Sequence, residues 1–122
     1  MQLLADESLE GGSTKGFGWI EGQVRPFQKQ NGLRLPHMGW NEVEIKKDSG
    51  LFLDFRGDPT FYFTHGYNLI CDDDRDVLAT CDYSGVFAAA VQKDNIFGTQ
   101  FHPEKSQTHG RILIENFCEW RG

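Results

Sequence analysis

Apolar and polar residues alternate along several short stretches of the chain, which is the pattern of half-buried β-strands. The alternation is cleanest over residues 41–46, and the aromatic residues 61–63 begin a second strand that continues towards Leu69 and Ile70. A further short strand is predicted over residues 19–24. These periods of two predict a chain that is rich in strands.

Turn-forming residues divide the second half of the chain into further strands. Residues 77–80 and 86–91 flank the turn sequence Tyr83-Ser84-Gly85 and predict a hairpin. The turn Lys93-Asp94-Asn95 then leads into a strand over residues 96–101. Three consecutive aspartates precede this hairpin, and we interpret them as a solvated turn and not as a cation site.

Helical patterns are confined to the two ends of the chain. Residues 3–10 resemble the tail of a helix, which Gly11 and Gly12 would end. Ser106 can cap a terminal helix over residues 111–120. Its predicted apolar face consists of Ile112, Leu113, Phe117 and Trp120.

Composition and charge favour a single folded domain over residues 1–122 and argue against several classes of function. Polar residues 28–35 predict a loop, but no repeat or second-domain boundary is found. The hydrophobic content of 39% argues against disorder, and the net charge of −6 argues against a nucleic-acid partner. No apolar run approaches the roughly 20 residues that span a bilayer, and Met1 is not followed by an export signal.

The number and spacing of the cysteines indicate the cellular compartment of the protein. Cys71, Cys81 and Cys118 are scattered and odd in number, which suits a reducing cytosol better than a disulfide framework. We therefore expect a cytoplasmic protein with no membrane association.

The candidate chemistry lies in residues 100–106, which follow the apolar run 96–98 and so form a strand end and the turn beyond it. His102 and Glu104 are expected to point the same way, because side chains two apart in an extended chain share a face. Pro103 between them ends sheet pairing. An imidazole backed by a carboxylate is the base and orienting group of a nucleophilic triad. The alternative interpretation is a strand-end histidine paired with a surface glutamate.

Three stretches of the chain together carry a family resemblance. They are Phe101-His102-Pro103-Glu104-Lys105-Ser106, Pro36-His37-Met38-Gly39-Trp40-Asn41 and Phe61-Tyr62-Phe63-Thr64-His65-Gly66-Tyr67. The first is similar to the C-terminal triad signature of the class I glutamine amidotransferases. Its Lys-Ser extension, and the other two stretches, are typical of the branch that serves imidazole glycerol phosphate synthase in histidine biosynthesis. The resemblance implies an α/β fold with three flavodoxin-like layers. Of this fold the chain would be an incomplete C-terminal part, with a mixed or antiparallel sheet and a terminal helix.

The resemblance implies glutamine hydrolysis without a cofactor. A cysteine thiolate would attack the side-chain amide, His102 would carry the proton and Glu104 would orient the imidazole. Gln2, Gly66 and Tyr67 match positions that contact the substrate glutamine. The family usually has Ser or Thr where this chain has Gly66, so a hydroxyl contact is lost there.

The nucleophile itself is expected outside these residues. The opening Met1-Gln2-Leu3-Leu4 resembles the residues that follow the family's cysteine elbow, so the cysteine would fall three positions before Met1. The chain is thus interpreted as a C-terminal portion that is inactive alone and exposes apolar surface, so that it self-associates. The three cysteines present are interpreted as buried or incidental thiols.

The resemblance also implies a partner, a (β/α)8 synthase subunit that receives the ammonia. Its predicted contacts are His37, Met38, Gly39, Trp40, Asn41 and Lys105. From the residues alone, the aromatic cluster in this set is equally a piece of core, and Lys105 an ordinary exposed lysine. A zinc site from His37, His65, His102 and Glu104 is conceivable by ligand type, but the spacing matches no compact zinc motif.

Two other functions stay open at the level of sequence. One is a paralogous amidotransferase that supplies ammonia for surface-polysaccharide sugar synthesis. The other is a non-catalytic fragment that keeps a docking surface without the chemistry.

Overall fold

The computed structural model describes residues 1–30 and 32–122, and within them the chain forms ten strands and one α-helix. The strands are β1 (Glu7–Ser8), β2 (Thr14–Lys15), β3 (Gly22–Pro26), β4 (His37–Glu42), β5 (Glu44–Ile45), β6 (Thr60–His65), β7 (Tyr67–Cys71), β8 (Val77–Asp82), β9 (Val86–Lys93) and β10 (Ile96–Thr99). The helix α1 is Gln107–Glu119. Short 3-10 turns lie at Gln2–Leu4, Gly50–Phe52, Asp74–Asp76 and Pro103–Lys105.

The described strands form three sheets. One has the order β2-β1-β3-β7, another the order β10-β9-β8-β5, and β4 pairs with β6 alone. Only β1 and β3 run parallel among these pairs, and the others are antiparallel. The expectation of mixed and antiparallel sheets with a C-terminal helix is confirmed.

Buried aromatic rings that pack against one another fix the position of the turn that follows Phe101. Phe61 on β6 and Phe101 beyond β10 stack with their ring centroids 3.9 Å apart, and both are almost fully buried. Phe63 meets Phe101 edge-on at 5.7 Å. Because Phe101 is held in this way, the next residue, His102, emerges at a fixed point on the surface.

Most strand predictions hold with shifted ends. The hairpin of β8 and β9 and the turn into β10 are confirmed, although β10 ends at Thr99 and not at residue 101. The alternating burial over residues 41–46 is confirmed, with Val43 fully buried between exposed neighbours. The predicted single strand is wrong, because the segment is divided at Val43 between β4 and β5, which belong to different sheets. The run from Phe61 to Ile70 is broken at Gly66 into two strands of different sheets.

Three shorter segments complete the comparison with the sequence. The strand predicted over residues 19–24 begins at Gly22 and ends at Pro26. The predicted loop over residues 28–35 is irregular where described, and Asn31 lies outside the described residues. The three aspartates form a turn, in which the Asp73 side chain accepts a hydrogen bond from the Arg75 amide at 2.9 Å.

The helix predicted over residues 3–10 is wrong. Only Gln2–Leu4 forms a 3-10 turn, and the chain then extends into β1. The Asp6 amide donates to the Gly22 carbonyl at 3.1 Å, and Leu9 donates to Val24 at 3.0 Å. Pairing with a distant strand thus satisfies the backbone groups that a helix would have satisfied locally.

The terminal helix exists but differs in extent and in the face it buries. It begins at Gln107, four residues before the predicted start, and Leu113 is its one fully buried large side chain. Phe117 is 55% exposed, so it does not belong to a buried apolar face as predicted. Trp120 lies just past the helix end and meets Phe97 edge-on at 5.1 Å. No helix within residues 1–30 and 32–122 is long and apolar enough to cross a membrane.

Candidate active site

His102 stands at the start of a short 3-10 turn and contacts Glu104. Its amide donates to the Tyr62 carbonyl at 2.9 Å, and Pro103 then begins the turn. The side chain is 37% exposed, and its Nδ1 atom lies 2.8 Å from Glu104 Oε1. Because an ionised carboxylate only accepts, Nδ1 carries the proton and Nε2 is left with a free lone pair when the ring is neutral. The predicted contact between these two side chains is confirmed, but a turn and not an extended strand brings them together.

The charge of Glu104 is stabilised where it stands. Loss of solvent contact acts to raise its pKa, but the hydrogen bond with His102 and the nearby charges of His102 and Lys105 outweigh that effect. The pKa of Glu104 therefore lies below its usual value. An ionised carboxylate at this position can stabilise an imidazolium on His102.

Ser106 holds the turn from behind. Ser106 occupies the predicted N-cap position of α1, but its hydroxyl makes no capping bond. Its Oγ donates to the His102 carbonyl at 2.6 Å and accepts from the Tyr62 amide at 2.9 Å. Ser106 is almost fully buried, and its hydroxyl fixes the His102 turn to β6. Its backbone stands at the N-cap of α1, where its carbonyl accepts from the Gly110 amide at 3.2 Å.

One cleft of about 570 Å³ contains all five residues predicted to act in catalysis or substrate binding. They are Gln2, Gly66, Tyr67, His102 and Glu104. Residues far apart in the sequence thus meet in one place, although their roles remain predictions. A larger cavity of about 860 Å³ lies beside the end of α1, and neither histidine nor cysteine is among its described lining residues.

Gln2 links two walls of this cleft. Its Nε2 donates to the Tyr67 carbonyl at 3.0 Å and to Gln100 Oε1 at 3.0 Å. The amide group of Gln2 is therefore held in place before any ligand arrives, and its Oε1 remains available as an acceptor.

Gly66 leaves space in the wall. A Cβ added there would meet only Pro36 Cβ, at 3.9 Å, which is ordinary contact. The backbone of Gly66 is not in the left-handed region, so a serine fits here without strain. The backbone conformation therefore does not require glycine at position 66, and a residue with a hydroxyl could stand there.

Gln100 and His65 are cleft residues to which the sequence analysis gave no role in substrate binding. Gln100 accepts from Gln2, and His65 is buried with Nδ1 2.7 Å from the Tyr67 carbonyl. Its Nε2 lies 2.9 Å from His37 Nδ1. Strand alternation gives no signal for these contacts, because Gln100 lies beyond the end of β10 and Gly66 separates β6 from β7 between His65 and Tyr67.

The predicted docking residues divide between two faces of β4. His37 is 2% exposed and lies in the core, so its assignment to a partner surface is wrong. Met38 is 62% exposed and Trp40 is 49% exposed on the outer face. Gly39 and Asn41 are half-buried on the inner side. Strand alternation explains the division, since neighbouring side chains point to opposite faces.

The rest of the docking set is compatible with a surface. Lys105 is exposed in the turn that follows His102. Trp40 meets the ring of Tyr62 edge-on across β4 and β6, so this outer face carries two aromatic rings. The open question of core or surface is therefore answered for Trp40, which is half exposed.

Comparison with known proteins identifies the family. The family model described as glutamine amidotransferase class-I matches residues 1–120. The chain belongs to the class I glutamine amidotransferase family.

Close relatives of this amidotransferase chain share one name. "Imidazole glycerol phosphate synthase subunit HisH" of Leptospira interrogans is 49% identical over 97% of this chain and 59% of the relative. The protein of the same name from Azospirillum brasilense is 45% identical over 99% of this chain and 64% of the relative. The chain therefore spans about three-fifths of the length of these relatives.

A solved structure supports the amidotransferase fold. The crystal structure of a putative GMP synthase component from Thermoplasma acidophilum matches with a TM-score of 0.62 at 23% identity. The match covers 79% of this chain and 46% of that one. At this identity the likeness establishes the shared α/β fold.

The cysteines of this amidotransferase chain lie away from the cleft. Burial raises the pKa of Cys81 to about 12, and burial together with the nearby aspartates raises that of Cys71 to about 11. Cys118 is exposed on α1. None of the three lines the cleft around His102. Among the described residues, no group of three or more histidine, cysteine or acidic side chains converges to hold a metal.

Proposed function

We propose that this chain supplies the histidine and glutamate of a glutamine-hydrolysing triad in the glutaminase subunit of imidazole glycerol phosphate synthase. The observation that carries the proposal is the 2.8 Å pair of His102 and Glu104 at a cleft that also holds Gln2, Gly66 and Tyr67. Relatives with 45–49% identity that bear the name of this subunit support the choice of pathway.

In the proposed reaction His102 is the general base and acid. Its free Nε2 takes the proton of a cysteine thiol, and the thiolate attacks the side-chain amide carbon of glutamine. The imidazolium, stabilised by Glu104, then delivers that proton to the leaving ammonia. Water, deprotonated by the same imidazole, releases glutamate from the thioester.

In this proposal the thiol comes from outside the 122 residues. The three cysteines here do not line the cleft, and the thiols of Cys71 and Cys81 stay protonated near neutral pH because their pKa values are raised. A protonated, buried thiol is a poor nucleophile.

The proposed substrate fits the polar wall of the cleft. The fixed amide of Gln2 and the backbone of Gly66 and Tyr67 present donors and acceptors towards a ligand that carries amide, amino and carboxylate groups. Hydrolysis by a thiol and an imidazole requires no cofactor.

The proposed partner is the (β/α)8 synthase subunit that consumes the ammonia. Met38 and Trp40 are exposed on the outer face of β4, next to the half-buried Tyr62 on β6, and such large side chains are typical interface anchors. Lys105 lies in the same turn as Glu104, which places its charge beside the cleft. The cytoplasmic location stays a prediction, and three unpaired cysteines fit it.

The test uses the enzyme that joins this chain to its thiol-bearing segment, with the synthase partner present, and follows glutamate release. His102→Ala should lower turnover by roughly 100-fold or more, the usual contribution of a general base. Glu104→Gln should also lower kcat, and His109→Gln, a histidine outside the cleft, should not. The 122-residue polypeptide alone should release no glutamate. Turnover that survives His102→Ala but is lost in Cys71→Ser or Cys81→Ser would refute the proposal.

A further inference from the structure

A line of hydrogen bonds runs through the core from β4 to the cleft. Asn41 Nδ2 lies 3.4 Å from His37 Nε2, and His37 Nδ1 lies 2.9 Å from His65 Nε2. His65 Nδ1 in turn lies 2.7 Å from the Tyr67 carbonyl. The proposed mechanism uses neither of these two histidines.

The groups at the two ends of this line together determine which ring nitrogen of each histidine carries the proton. The Tyr67 carbonyl can only accept, so His65 carries its proton on Nδ1 and its Nε2 accepts from His37. Asn41 Nδ2 can only donate, so His37 Nε2 has no proton. The Asn41 amide is oriented by its Oδ1, which accepts from the Glu42 amide at 2.9 Å. Both rings are therefore neutral single tautomers.

The surroundings agree with this assignment. His37 and His65 are 2% and 7% exposed. The His37 ring is stacked between Phe63 and Tyr83, with centroids 4.7 and 4.0 Å away. Burial lowers the pKa of both histidines, which keeps them uncharged near neutral pH. The rings have little room to turn or flip.

Sheet geometry explains why the Tyr67 carbonyl needs such a donor. In the described residues β7 is the last strand of its sheet, paired only with β3. The Phe27 amide donates to the Gly66 carbonyl at 3.3 Å, so the next carbonyl, that of Tyr67, points away from β3 to the open edge. His65 from the core and Gln2 from the cleft are its donors.

We propose that His65 is a positioning residue, which locks the Tyr67 carbonyl and thereby shapes the Gly66–Tyr67 wall of the cleft for glutamine. His37 sets the tautomer of His65 and so belongs to the same device. This inference rests on the proposed function for its catalytic consequence, but its geometry is independent of it. Without the His65 donor, the Tyr67 carbonyl depends on Gln2 alone, the group that is also expected to meet the substrate.

The first test is spectroscopic and uses the 122-residue chain. Long-range proton–nitrogen NMR at pH 7.5 should find His65 protonated only on Nδ1 and His37 only on Nδ1. Hydrogen exchange at residues 66–68 should be faster in His65→Gln than in His65→Asn. A proton on Nε2 of His65, or equal exchange in the two variants, overturns the inference whatever the enzyme does.

The two variants separate the two ring nitrogens. The amide nitrogen of asparagine takes the place of Nδ1 and keeps the donor to Tyr67, whereas that of glutamine takes the place of Nε2 and loses it. In the complete glutaminase, His65→Gln should raise KM for glutamine by about tenfold, the usual effect of losing one hydrogen bond, with little change in kcat. His65→Asn should restore KM to within about threefold. His109→Gln is the control for the loss of a histidine that hydrogen-bonds the backbone outside the cleft.

The outcomes distinguish the two proposals. If the enzyme is active, His102→Ala abolishes turnover and His65→Gln leaves KM unchanged, this inference fails while the proposed function stands. If the wild-type enzyme does not hydrolyse glutamine, the proposed function fails, and the NMR measurement still decides whether His65 holds the Tyr67 carbonyl. Equal loss of kcat in His65→Gln and His65→Asn would mean a merely structural role and would also overturn the inference.

Discussion

The indole of Trp40 meets the ring of Tyr62 edge-on, with the ring centroids 6.0 Å apart across β4 and β6. Trp40 remains 49% exposed in this contact. A large, half-exposed aromatic side chain braced by a neighbouring ring is preorganised to anchor a second protein.

Trp40→Ala should therefore weaken binding of the synthase partner by about 2 kcal/mol while the fold loses less stability than a buried tryptophan would cost. Titration calorimetry and thermal melts on the same samples measure the two effects. Trp19→Ala is a matched control, since Trp19 is 52% exposed but lies outside β4 and β6. A loss of roughly 3–5 kcal/mol in stability with unchanged affinity would instead assign Trp40 to the core.

Gly66→Ser should be tolerated. The added Cβ meets only Pro36, so the free energy of unfolding should change by less than about 0.5 kcal/mol. Gly22→Ser is the contrasting variant, because its Cβ would run into the Ile70 carbonyl at a φ of +150°. That change should cost more than about 2 kcal/mol. Urea titrations compare the two, and similar losses would contradict the open space at Gly66 and the close approach at Gly22.

Acid should destabilise the chain through its buried histidines. Burial, with the neighbouring His65, lowers the pKa of His37 to about 4, while the unfolded chain keeps an ordinary value near 6.5. The unfolded state thus binds the proton first. The contribution of neutral His37 to the free energy of unfolding is therefore fully present above about pH 6.5 and is lost as the pH drops towards 4. The loss is about 3 kcal/mol for His37.

The pH dependence has its own control. His37→Asn keeps a donor towards His65 Nε2 but cannot titrate, so its unfolding midpoint should fall less steeply between pH 6.5 and 4.5 than that of the wild type. Glu104, whose pKa is lowered, contributes below this window. An unchanged slope in the variant would mean that His37 does not titrate as described.

The 122-residue chain should self-associate. Leu3, Phe17 and Trp19 are 70%, 59% and 52% exposed, and the last two stack with their centroids 4.9 Å apart. Sheet edges at β2 and β10 add backbone groups that have no strand partner in the described residues. Light scattering at rising concentration checks this, and the double variant Phe17→Ser, Trp19→Ser should shift the chain towards monomer. A wild-type chain that stays monomeric at high concentration would contradict the prediction.

Sequence reasoning worked where the pattern is local. The alternation around Val43, the hairpin of β8 and β9, and the meeting of His102 with Glu104 depend on residues close in the chain. Family motifs added the long-range part, since they group Gln2, Gly66 and Tyr67 with His102, and all four residues line one cleft.

Sequence reasoning failed where contacts with residues far away in the chain determine the local structure. Residues 5–9 pair with β3 and not with their own helical neighbours, and the Ser106 hydroxyl binds Tyr62 and His102 instead of capping α1. The motif around His37 contains no information on which face of β4 is buried. Gln100 was missed because its link to Gln2 spans 98 positions.

The backbone and the side chain of Tyr62 serve different purposes. Its amide and carbonyl hold Ser106 and His102 at 2.9 Å each, whereas its ring faces outward beside Trp40. Backbone groups are the same in every amino acid but proline, so the side chain at this position is free to change while the histidine keeps its place. Position 62 is therefore a suitable site for libraries that seek orthogonal enzyme pairs, in which partner choice is redesigned and the geometry of the reaction is inherited unchanged.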